Sequence, residues 1–514
     1  MKRILYNTCI ADPWLKVAER LQEEQDWNPV YWIGYHDDNS CNLVPEMFSG
    51  AIYHEYFSAW KGNFPEEIAA LIENYTVDPD FMRELASFEL QGLKIMDRMD
   101  MDGRSFSYIE RQQLFRKLLR NWLAIIYHLK IDIMISASVP HRSYDFTLYL
   151  VCRKLGIPVI SFIMTPFSHN GRIIGLKDIY EIPAKIGENY QEITKEFLQI
   201  ELSEDINDRL ERVQQQYKQA VPGYMNEHQK YHRKKPHFWS LVKKIFYEIR
   251  DEPSRWLGAD GFIRKGFPNY VKHPRRDIED RGYGLVPYML KKLSRLRYLN
   301  QLRMEYEKNS SAPDFKIPYA FFAMHYQPEA TSVPLSGIFY DQLYIIELLL
   351  KYLPEDWFIY VKENPLQFNP IAEGYTSRSL RFYRDAVRNP RVKLIPVSDD
   401  PFELIDNAEA VVTLTGTIGW EGMVRGKPVI CFGSTWYEGF TDGVLKVKDD
   451  KTIAEMTDFI YKYKFSEEKL KSYLKAIENH SIRAYFYRGL QKHLKMEEKE
   501  CVDNLVRYII NQIT

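Results

Sequence analysis

Short apolar runs alternate with amphipathic stretches along the first part of this chain. Strands are predicted at residues 3–8, 30–34, 131–137 and 157–162, and helices at 13–22 and 78–128. A strand, a helix and a second strand in succession form a βαβ unit, which predicts a parallel sheet.

The second part of the chain repeats this rhythm more regularly. Strands are predicted at residues 319–325, 357–363, 392–395, 409–415 and 427–433, with helices at 335–352 and from Thr417 onward. This alternation is typical of a doubly wound α/β sheet, in which ligands bind beyond the carboxyl ends of the strands. The polar residues that directly follow each strand are therefore the candidate site residues.

A chain of 514 residues is too long for one hydrophobic core, so we expect two α/β domains. We predict a Rossmann-like domain at 1–184, a helical insertion and linker at 185–312, a second Rossmann-like domain at 313–450 and C-terminal helices at 451–514. No strand is predicted after residue 450.

Composition and charge narrow the classes of partner. Hydrophobic residues make up 45% of the chain and charged residues 27%, as in an ordinary folded protein. The 69 Lys and Arg residues balance 70 Asp and Glu residues, which argues against a nucleic-acid partner. The five cysteines are scattered, without metal-ligand spacing, and fit a reducing compartment. With neither a signal-peptide pattern nor an apolar run long enough to span a bilayer, we expect a cytoplasmic protein.

Residues 232–250 combine a cluster of basic residues with aromatic and aliphatic ones. This pattern fits a peripheral contact with the inner membrane or the docking of an anionic polymer. It also fits an ordinary surface helix with one buried apolar face, which is the interpretation that we favour.

The most specific motif is TLTGTIGWEGMVRGKPVICFG at 413–433. A strand ends in Thr415, Gly416 and Thr417 and a helix begins there, so that free backbone N–H groups and the positive helix end can hold a phosphate. Glu421, one turn into the helix, is placed to accept ribose hydroxyls. The structural alternative is a threonine N-cap with a buried capping carboxylate. We favour the nucleotide site.

Two further polar runs follow predicted strands. In the first, Lys362 can neutralise a leaving nucleotide, Asn364 offers a donor and an acceptor, and Pro365 fixes the turn. In the second, Glu329 can act as nucleophile or acid/base, and Gln327 can bind a sugar hydroxyl or carboxylate. A plain turn at a strand end explains either run equally well when it is taken alone.

The first domain supplies candidate residues for an acceptor. His141 or Asp145 can serve as the base toward an acceptor hydroxyl, and Arg142 can hold a carboxylate or phosphate. Asp145 fits a charge at a helix N-terminus equally well. The run 165–172 also follows a strand and is polar enough to line an acceptor site, whereas 272–274 follows no strand and is discounted.

These motifs resemble a family: the bacterial capsule polysaccharide synthesis proteins that transfer 3-deoxy-manno-octulosonic acid (Kdo) from CMP-Kdo. The resemblance rests on Gln327-Pro328-Glu329, on Lys362-Glu363-Asn364-Pro365 where the family usually has Lys-x-His-Pro, and on the runs 415–421 and 426–429. It covers about residues 318 to 440.

The resemblance implies a GT-B fold, in which two Rossmann-like domains face a cleft and the C-terminal domain holds the CMP-sugar. Kdo transferases of this family retain the anomeric configuration, which implies a carboxylate nucleophile, and Glu329 is the nearest match. Two departures are Asn364, where the family has His, and the lack of an acidic residue near 164–166.

We therefore predict a glycosyltransferase that uses no cofactor, takes its sugar from a CMP-linked donor and delivers it to a bacterial surface glycan or glycolipid. Metal independence is predicted because no DxD-like pair follows a strand of the donor site, and Asp399 and Asp400 precede Pro401 as a helix start would. The alternatives are a UDP- or GDP-hexose transferase, an epimerase or hydrolase of sugar nucleotides, and a non-catalytic scaffold of a polysaccharide assembly complex.

Overall fold

The computed structural model describes residues 1–9, 11–35, 40–73, 75–100, 106–167, 171–196, 200–215, 285–369, 374–486, 494 and 496–513. The segments 232–250, 272–274 and 168–170, which entered the predictions above, lie outside these residues.

Two groups of strands run through the described residues. They are β1 Lys2–Asn7, β2 Trp27–Gly34, β3 Ile52–Glu55, β4 Ile133–Ser136, β5 Val159–Met164, β6 Arg172–Leu176, β7 Tyr319–Ala323, β8 Phe358–Lys362, β9 Val392–Ile395, β10 Ala410–Thr413, β11 Val429–Cys431, β12 Val444–Lys446 and β13 Ile482–Arg483.

Helices connect these strands. They are α1 Ala11–Gln25, α2 Ser40–Met47, α3 Tyr56–Lys61, α4 Glu66–Glu73, α5 Pro79–Ile95, α6 Tyr108–Leu129, α7 Ser143–Lys154, α8 Ala184–Lys195, α9 Glu204–Gln215, α10 Leu285–Lys308, α11 Gln342–Tyr352, α12 Leu380–Ala386, α13 Pro401–Asn407, α14 Thr417–Val424, α15 Asp450–Ala454, α16 Met456–Lys462, α17 Glu467–His480 and α18 Glu498–Ile513. None of the helices in the described ranges is long and apolar enough to cross a membrane.

The strand order of both sheets is that of the Rossmann fold. Among the described residues, the first sheet runs β3-β2-β1-β4-β5-β6-β13 and the second runs β9-β8-β7-β10-β11-β12. In each sheet the first six strands in chain order follow the pattern 3-2-1-4-5-6. The second sheet is parallel throughout, whereas β6 and β13 are antiparallel additions to the first. The predicted pair of doubly wound domains is confirmed.

The Rossmann order fixes where a ligand can bind. The order reverses between β1 and β4 in the first sheet and between β7 and β10 in the second, and the loops beyond those strands diverge to leave a crevice. Among the predicted site residues, the loops that follow β4, β7 and β10 carry His141, Arg142, Gln327, Glu329, Thr415 and Gly416.

An aromatic contact joins the two domains. Phe167, just beyond β5, lies with its ring centre 5.8 Å from that of Trp420 and 5.6 Å from that of Trp436, and all three side chains are buried. The apolar core is continuous through this contact, from the first sheet to the second. The run 165–172, predicted to line the acceptor site, thus contributes Phe167 to the interdomain core.

The end of the chain returns to the first domain. β13 pairs with β6, and α18 packs against α1, with the Tyr508 hydroxyl donating to the Gly175 carbonyl at 2.9 Å. The prediction that no strand follows residue 450 is therefore wrong. A strand of two residues at a sheet edge has no period of its own, which is why the apolar pattern did not indicate it.

Gly175 offers a test of this docking. A Cβ at this position would lie 2.2 Å from Cε1 of Tyr508, so Gly175→Ala should lower the free energy of unfolding by about 1–3 kcal/mol through overpacking. Chemical denaturation measures the change. The control is Gly187→Ala, in helix α8 with no atom within 4 Å of the added Cβ, which should raise stability by up to about 1 kcal/mol. Equal stability of Gly175→Ala and wild type would contradict the docking.

Candidate functional site

A cavity of about 370 Å³ opens between the two domains, at the carboxyl ends of strands from both sheets. The residues that line it are Trp60, Arg98, His141, Arg142, Tyr326, Pro328, Glu329 and Ala330. The first four belong to the N-terminal domain, and the other four lie on the loop after β7. The structure thus brings the predicted residues His141, Arg142 and Glu329 to one cavity.

Glu329 presents its carboxylate to this cavity. The side chain reaches solvent, and Oε2 accepts a hydrogen bond of 2.8 Å from the Thr331 hydroxyl. The surrounding protein partly desolvates the carboxylate and raises its pKa above the usual value, while Thr331 and the positive charge of Arg98 act in the opposite direction. Glu329 thus lies on the C-terminal wall of the cleft, and its role as nucleophile or acid/base stays a prediction.

His141 faces Glu329 from the other domain. Its Nδ1 lies 2.6 Å from the Val139 carbonyl, so Nδ1 carries the proton and Nε2 is the nitrogen with a free lone pair. Burial lowers the pKa of His141 well below its usual value, and the nearby charges of Arg142 and Arg98 lower it further. The imidazole is therefore neutral near pH 7, and its Nε2 can accept a hydrogen bond.

Asp145, the other predicted base, has a different position. It is fully buried in the first turn of α7, where Oδ1 accepts from the backbone N–H groups of His141 at 2.9 Å and Arg142 at 2.5 Å. Burial raises its pKa to about 7. Asp145 does not belong to the cavity lining, and its contacts are those of a helix-capping carboxylate that fixes the backbone of His141 and Arg142.

Gln327 lies behind the cavity wall rather than in it. Its Oε1 accepts from Nη1 of Arg378 at 2.7 Å and from Nε2 of Gln342 at 3.0 Å, and its Nε2 donates to the Tyr340 carbonyl at 2.8 Å. The amide group is only 4% exposed, and these contacts use the oxygen and one of its donors. Its geometry supports a positioning role for the loop that carries Glu329, while direct contact with a sugar stays a prediction.

Arg378 ties this loop to the neighbouring strand. Nε donates to Oε2 of Glu363 at 2.8 Å, and Nη2 donates to the His325 carbonyl at 3.1 Å. The side chains of Arg378 and Glu363 are both 0% exposed, and the Tyr383 hydroxyl donates to the same carboxylate at 2.9 Å. Glu363 directly follows β8, so one buried guanidinium joins the strand-end residues of β7 and β8.

His325 connects β7 to β10 across the point where the strand order reverses. Its Nε2 accepts from the backbone N–H of Thr415 at 3.2 Å. Burial lowers the pKa of His325 to about 3, and the charge of Arg378 adds to this effect, so the ring is neutral and its Nε2 is available as an acceptor. The loops after β7 and β10 are therefore held in contact by one imidazole.

Some polar groups of the predicted phosphate-binding turn form hydrogen bonds within the protein. The Thr415 hydroxyl donates to the Thr331 carbonyl at 2.8 Å, and the Gly416 N–H donates to the Thr413 hydroxyl at 3.2 Å. Thr417 and Ile418 are the first two residues of α14, so their N–H groups have no acceptor within the helix. These two donors, at the positive end of the helix, are the ones that can hold a phosphate.

Glu421 lies inside the second domain. It is only 4% exposed, and burial raises its pKa to about 7, against the opposing effects of the Arg209 charge, the Thr417 hydroxyl and Arg425. Arg209 lies on α9, which packs against α14, so the Glu421 carboxylate lies on the side of α14 that contacts α9. Its predicted role toward a ribose remains a prediction.

Lys362, Asn364 and Pro365 lie at the end of β8, beside the Glu329 loop and on the side away from Thr415. Burial lowers the pKa of Lys362 to about 8, although Asp399, Asp400 and Glu363 favour its charged form. Oδ1 of Asn364 accepts from the Leu366 N–H at 2.9 Å, which leaves its NH₂ group for a ligand, and Pro365 begins a 3-10 turn. The two predicted donor-binding loops thus flank the loop that carries Glu329.

Two other predictions about this region concern acidic residues. Asp400 caps α13 by accepting from the Phe402 N–H at 2.8 Å, which confirms the predicted helix start. In the part of the chain that the structure describes, no group of three or more His, Cys, Asp or Glu side chains could hold a metal ion.

The sequence did not indicate three residues that the site depends on: Trp60, Arg98 and Arg378. Trp60 follows β3, a strand of four residues that was not predicted, and Arg98 lies in a 3-10 turn without a preceding strand. A buried arginine such as Arg378 has no local pattern that reveals its role, because Glu363, Gln327 and His325 are 15 to 53 residues away along the chain.

Arg378→Met tests the buried network. The substitution leaves Glu363 without its counter-charge in the core, so we expect a loss of about 3–5 kcal/mol in the free energy of unfolding. The matched control is Arg384→Met, since Arg384 pairs with Glu305 at the surface, and that variant should unfold close to wild type. Chemical denaturation of both variants measures this, and equal losses would contradict the network's role.

Comparisons with known proteins agree with the motifs of the second domain. Residues 340–477 match the profile of a family described as "Capsule polysaccharide biosynthesis protein". The capsule polysaccharide modification protein LipA of Neisseria meningitidis serogroup A is 30% identical over 82 residues. That match covers 16% of this chain and only 11% of the length of LipA.

Two solved structures were also found similar. One is KpsC of Thermosulfurimonas dismutans, a beta Kdo 2,7 transferase, with 14% identity, a TM-score of 0.24 and coverage of 44% of this chain and 67% of that chain. The other is the UDP-GlcNAc 2-epimerase of Methanocaldococcus jannaschii in complex with UDP-GlcNAc and UDP, with 12% identity, a TM-score of 0.24 and coverage of 93% and 99%. The fold follows from the strand order of the two sheets.

The family match includes the loop after β8 and the turn between β10 and α14, whereas the Gln327-Pro328-Glu329 motif precedes it. Residues 340–477 thus match the model of the capsule polysaccharide biosynthesis family, in agreement with the resemblance that the motifs within this region predicted.

Proposed function

We propose that this chain is a glycosyltransferase that moves a sugar from a nucleotide donor to a surface polysaccharide or glycolipid acceptor. The observation that carries the proposal is the shared cavity, which Glu329 lines from the second domain and His141 from the first. A transfer reaction requires donor and acceptor groups to meet in one space, and two Rossmann-like sheets that face each other supply one such space.

The donor nucleotide is assigned to the second domain. The open N–H groups of Thr417 and Ile418 suit a phosphate, and Lys362 and the Asn364 amide lie on the other side of the Glu329 loop. A sugar attached to that phosphate would extend toward Glu329. Leaving-group charge would be stabilised by the helix end and by Lys362.

In the proposed reaction, the sugar, the leaving nucleotide and the acceptor proton are each transferred to a named group. In the retaining mechanism, a Glu329 oxygen bonds to the anomeric carbon while the bond from that carbon to the phosphate oxygen breaks, and the nucleotide leaves with the electron pair. The acceptor hydroxyl then displaces Glu329, and its proton passes to Nε2 of His141. The neutral imidazole and the cavity position of both residues support this division of roles.

CMP-Kdo is the donor that we favour, because the loop after β8 and the turn between β10 and α14 resemble those of Kdo transferases and lie in the region that matches the family model. A UDP- or GDP-linked hexose would use the same fold and the same cavity. A non-catalytic scaffold would bind no nucleotide, so nucleotide binding separates it from both transferases.

A thermal-shift panel with CMP, UDP, GDP and ADP tests the donor assignment. Binding to the folded state raises stability by about 2.7 kcal/mol at a hundredfold excess over Kd, so we expect CMP alone to raise Tm. Glu421→Gln should weaken this response. Burial raises the pKa of Glu421 from 4.5 to about 7, so its ionisation lowers stability as pH rises through that window. The unliganded variant should therefore be at least as stable as wild type at pH 8. Loss of the rise in Tm with CMP at this pH would then report weaker nucleotide binding and not an unfolded variant. A rise in Tm with UDP or GDP would assign a different donor nucleotide. No rise with any of the four nucleotides would favour the non-catalytic scaffold.

Turnover tests the two facing residues. Glu329→Gln and His141→Ala should each lower the transfer rate by about 10²–10⁴-fold, with Glu347→Gln on the exposed side of α11 as the unaffected control. Because the pKa of His141 is held well below 6.5, the rate should fall on the acid side only well below pH 6.5. Transfer by Glu329→Gln at the wild-type rate would exclude it as the nucleophile.

A further inference from the structure

A second cavity opens at the amino edge of the first sheet, where α7 and β6 end and β5 begins. The last turn of α18 contributes to its lining. Its volume is about 370 Å³, within the range of about 300–1,000 Å³ for small-molecule sites. Helix α7 has 12 residues, begins beside His141 and ends at this cavity, so a helix length of about 18 Å separates it from the interdomain cavity.

Part of the lining of this second cavity is apolar. Ile157, Pro158, Val159 and Ile513 contribute aliphatic side chains to it. Val159 is a core residue of the first domain, and Ile157 packs against that core. Burial of a ligand's apolar surface against such side chains favours binding, because that surface is removed from water. A ligand that fits this part of the cavity therefore has an apolar body.

The carboxylate in the lining is already paired. Oδ1 of Asp178 accepts from the Tyr149 hydroxyl at 2.9 Å and from the Tyr180 N–H at 2.8 Å, and Oδ2 lies 3.3 Å from Nη2 of Arg153. The guanidinium of Arg153 also lies over the ring of Tyr180, 5.6 Å from its centre. Asp178 and Arg153 thus balance each other's charge and fix each other's position.

Lys177 and Gln512 supply the other polar groups of the lining. The Lys177 side chain is exposed and, within the ranges that the structure describes, forms neither an ion pair nor a hydrogen bond. Gln512 is half-buried, and its side-chain amide has no hydrogen-bond partner in those ranges. Lys177 therefore carries a positive charge that no carboxylate of the lining balances. A ligand that complements these two groups is an anion.

We propose that this second cavity binds an amphipathic anion, whose carboxylate or phosphate contacts Lys177 and Gln512 and whose aliphatic body packs against Ile157, Val159 and Ile513. The ammonium group of Lys177 suits either headgroup, because it recognises an anion as a point charge. The site is separate from the interdomain cavity, and its occupation requires neither a nucleotide nor the transfer reaction.

Octanoate, octanamide and acetate are the probes, because the first two share the apolar body and the first and third share the charge. Ligand-observed NMR titration of the full chain should give a Kd for octanoate at least about tenfold below that for octanamide, since hydrogen bonds to charged groups are the stronger ones. Acetate should bind at least about tenfold more weakly than octanoate, because it lacks the chain. Equal affinities in either comparison, or no binding of octanoate, would overturn the proposal.

Octyl phosphate in a parallel titration identifies the headgroup. Tighter binding of octyl phosphate than of octanoate supports a phosphate ligand, and the reverse order supports a carboxylate ligand. Binding of octyl phosphate and octanoate no tighter than that of octanamide would overturn the role of the charge.

Two substitutions of Lys177 test the contact with the headgroup. Lys177→Gln should lower the affinity for octanoate to that for octanamide, and Lys177→Glu should abolish octanoate binding while octanamide still binds. Because the Lys177 side chain is exposed, both variants should fold like wild type, which circular dichroism checks. Wild-type affinity of Lys177→Glu for octanoate would overturn the proposal.

Two matched controls locate the bound octanoate. Lys185→Gln removes another exposed lysine of the first half of the chain, on α8, and Arg142→Gln removes a cation of the interdomain cavity. Both variants should bind octanoate with wild-type affinity. A loss of affinity in either control equal to the loss in Lys177→Gln would contradict a specific site beside Lys177.

Discussion

The candidate site depends on one buried guanidinium. Arg378 lies between the loops after β7 and β8, where it holds the His325 carbonyl, the Gln327 amide and the Glu363 carboxylate at once. A charge in a core with 0% exposure is tolerated only when its partners are complete, so these loops cannot move independently. Because Glu329 lies two residues beyond Gln327, that network also fixes the position of Glu329 in the cleft.

The cleft also requires the two domains to keep their relative positions. Phe167 between Trp420 and Trp436 makes the apolar core continuous, and the Glu438 carboxylate reinforces it by accepting from the Ile182 N–H at 3.2 Å. With both sheets in Rossmann order, this packing lets the loops after β4 and β7 line one cavity. Glu329 and His141 come from different domains, so they can act on the same substrate only while the domains keep this geometry.

The sequence was most informative where the pattern is local. Alternating apolar runs located β9 to the residue and placed the start of α14 near Thr417, and the rule that ligands bind beyond strand ends selected His141, Arg142 and Glu329. It was least informative where the constraint is long-range. The contacts of Gln327 with Gln342 and Arg378 exist only in the folded chain, and the two-residue β13 is defined only by pairing with β6.

The central claim is that a nucleotide sugar binds at the carboxyl edge of the second sheet and directs its sugar into the interdomain cavity. A crystal structure of the protein with bound CMP tests it most directly. We predict that the phosphate of CMP binds at the N–H groups of Thr417 and Ile418. The phosphate oxygen that carries the sugar in the donor should be directed toward Glu329. A nucleotide bound at the first sheet, between the loops after β1 and β4, would contradict the assignment of donor and acceptor to the two domains.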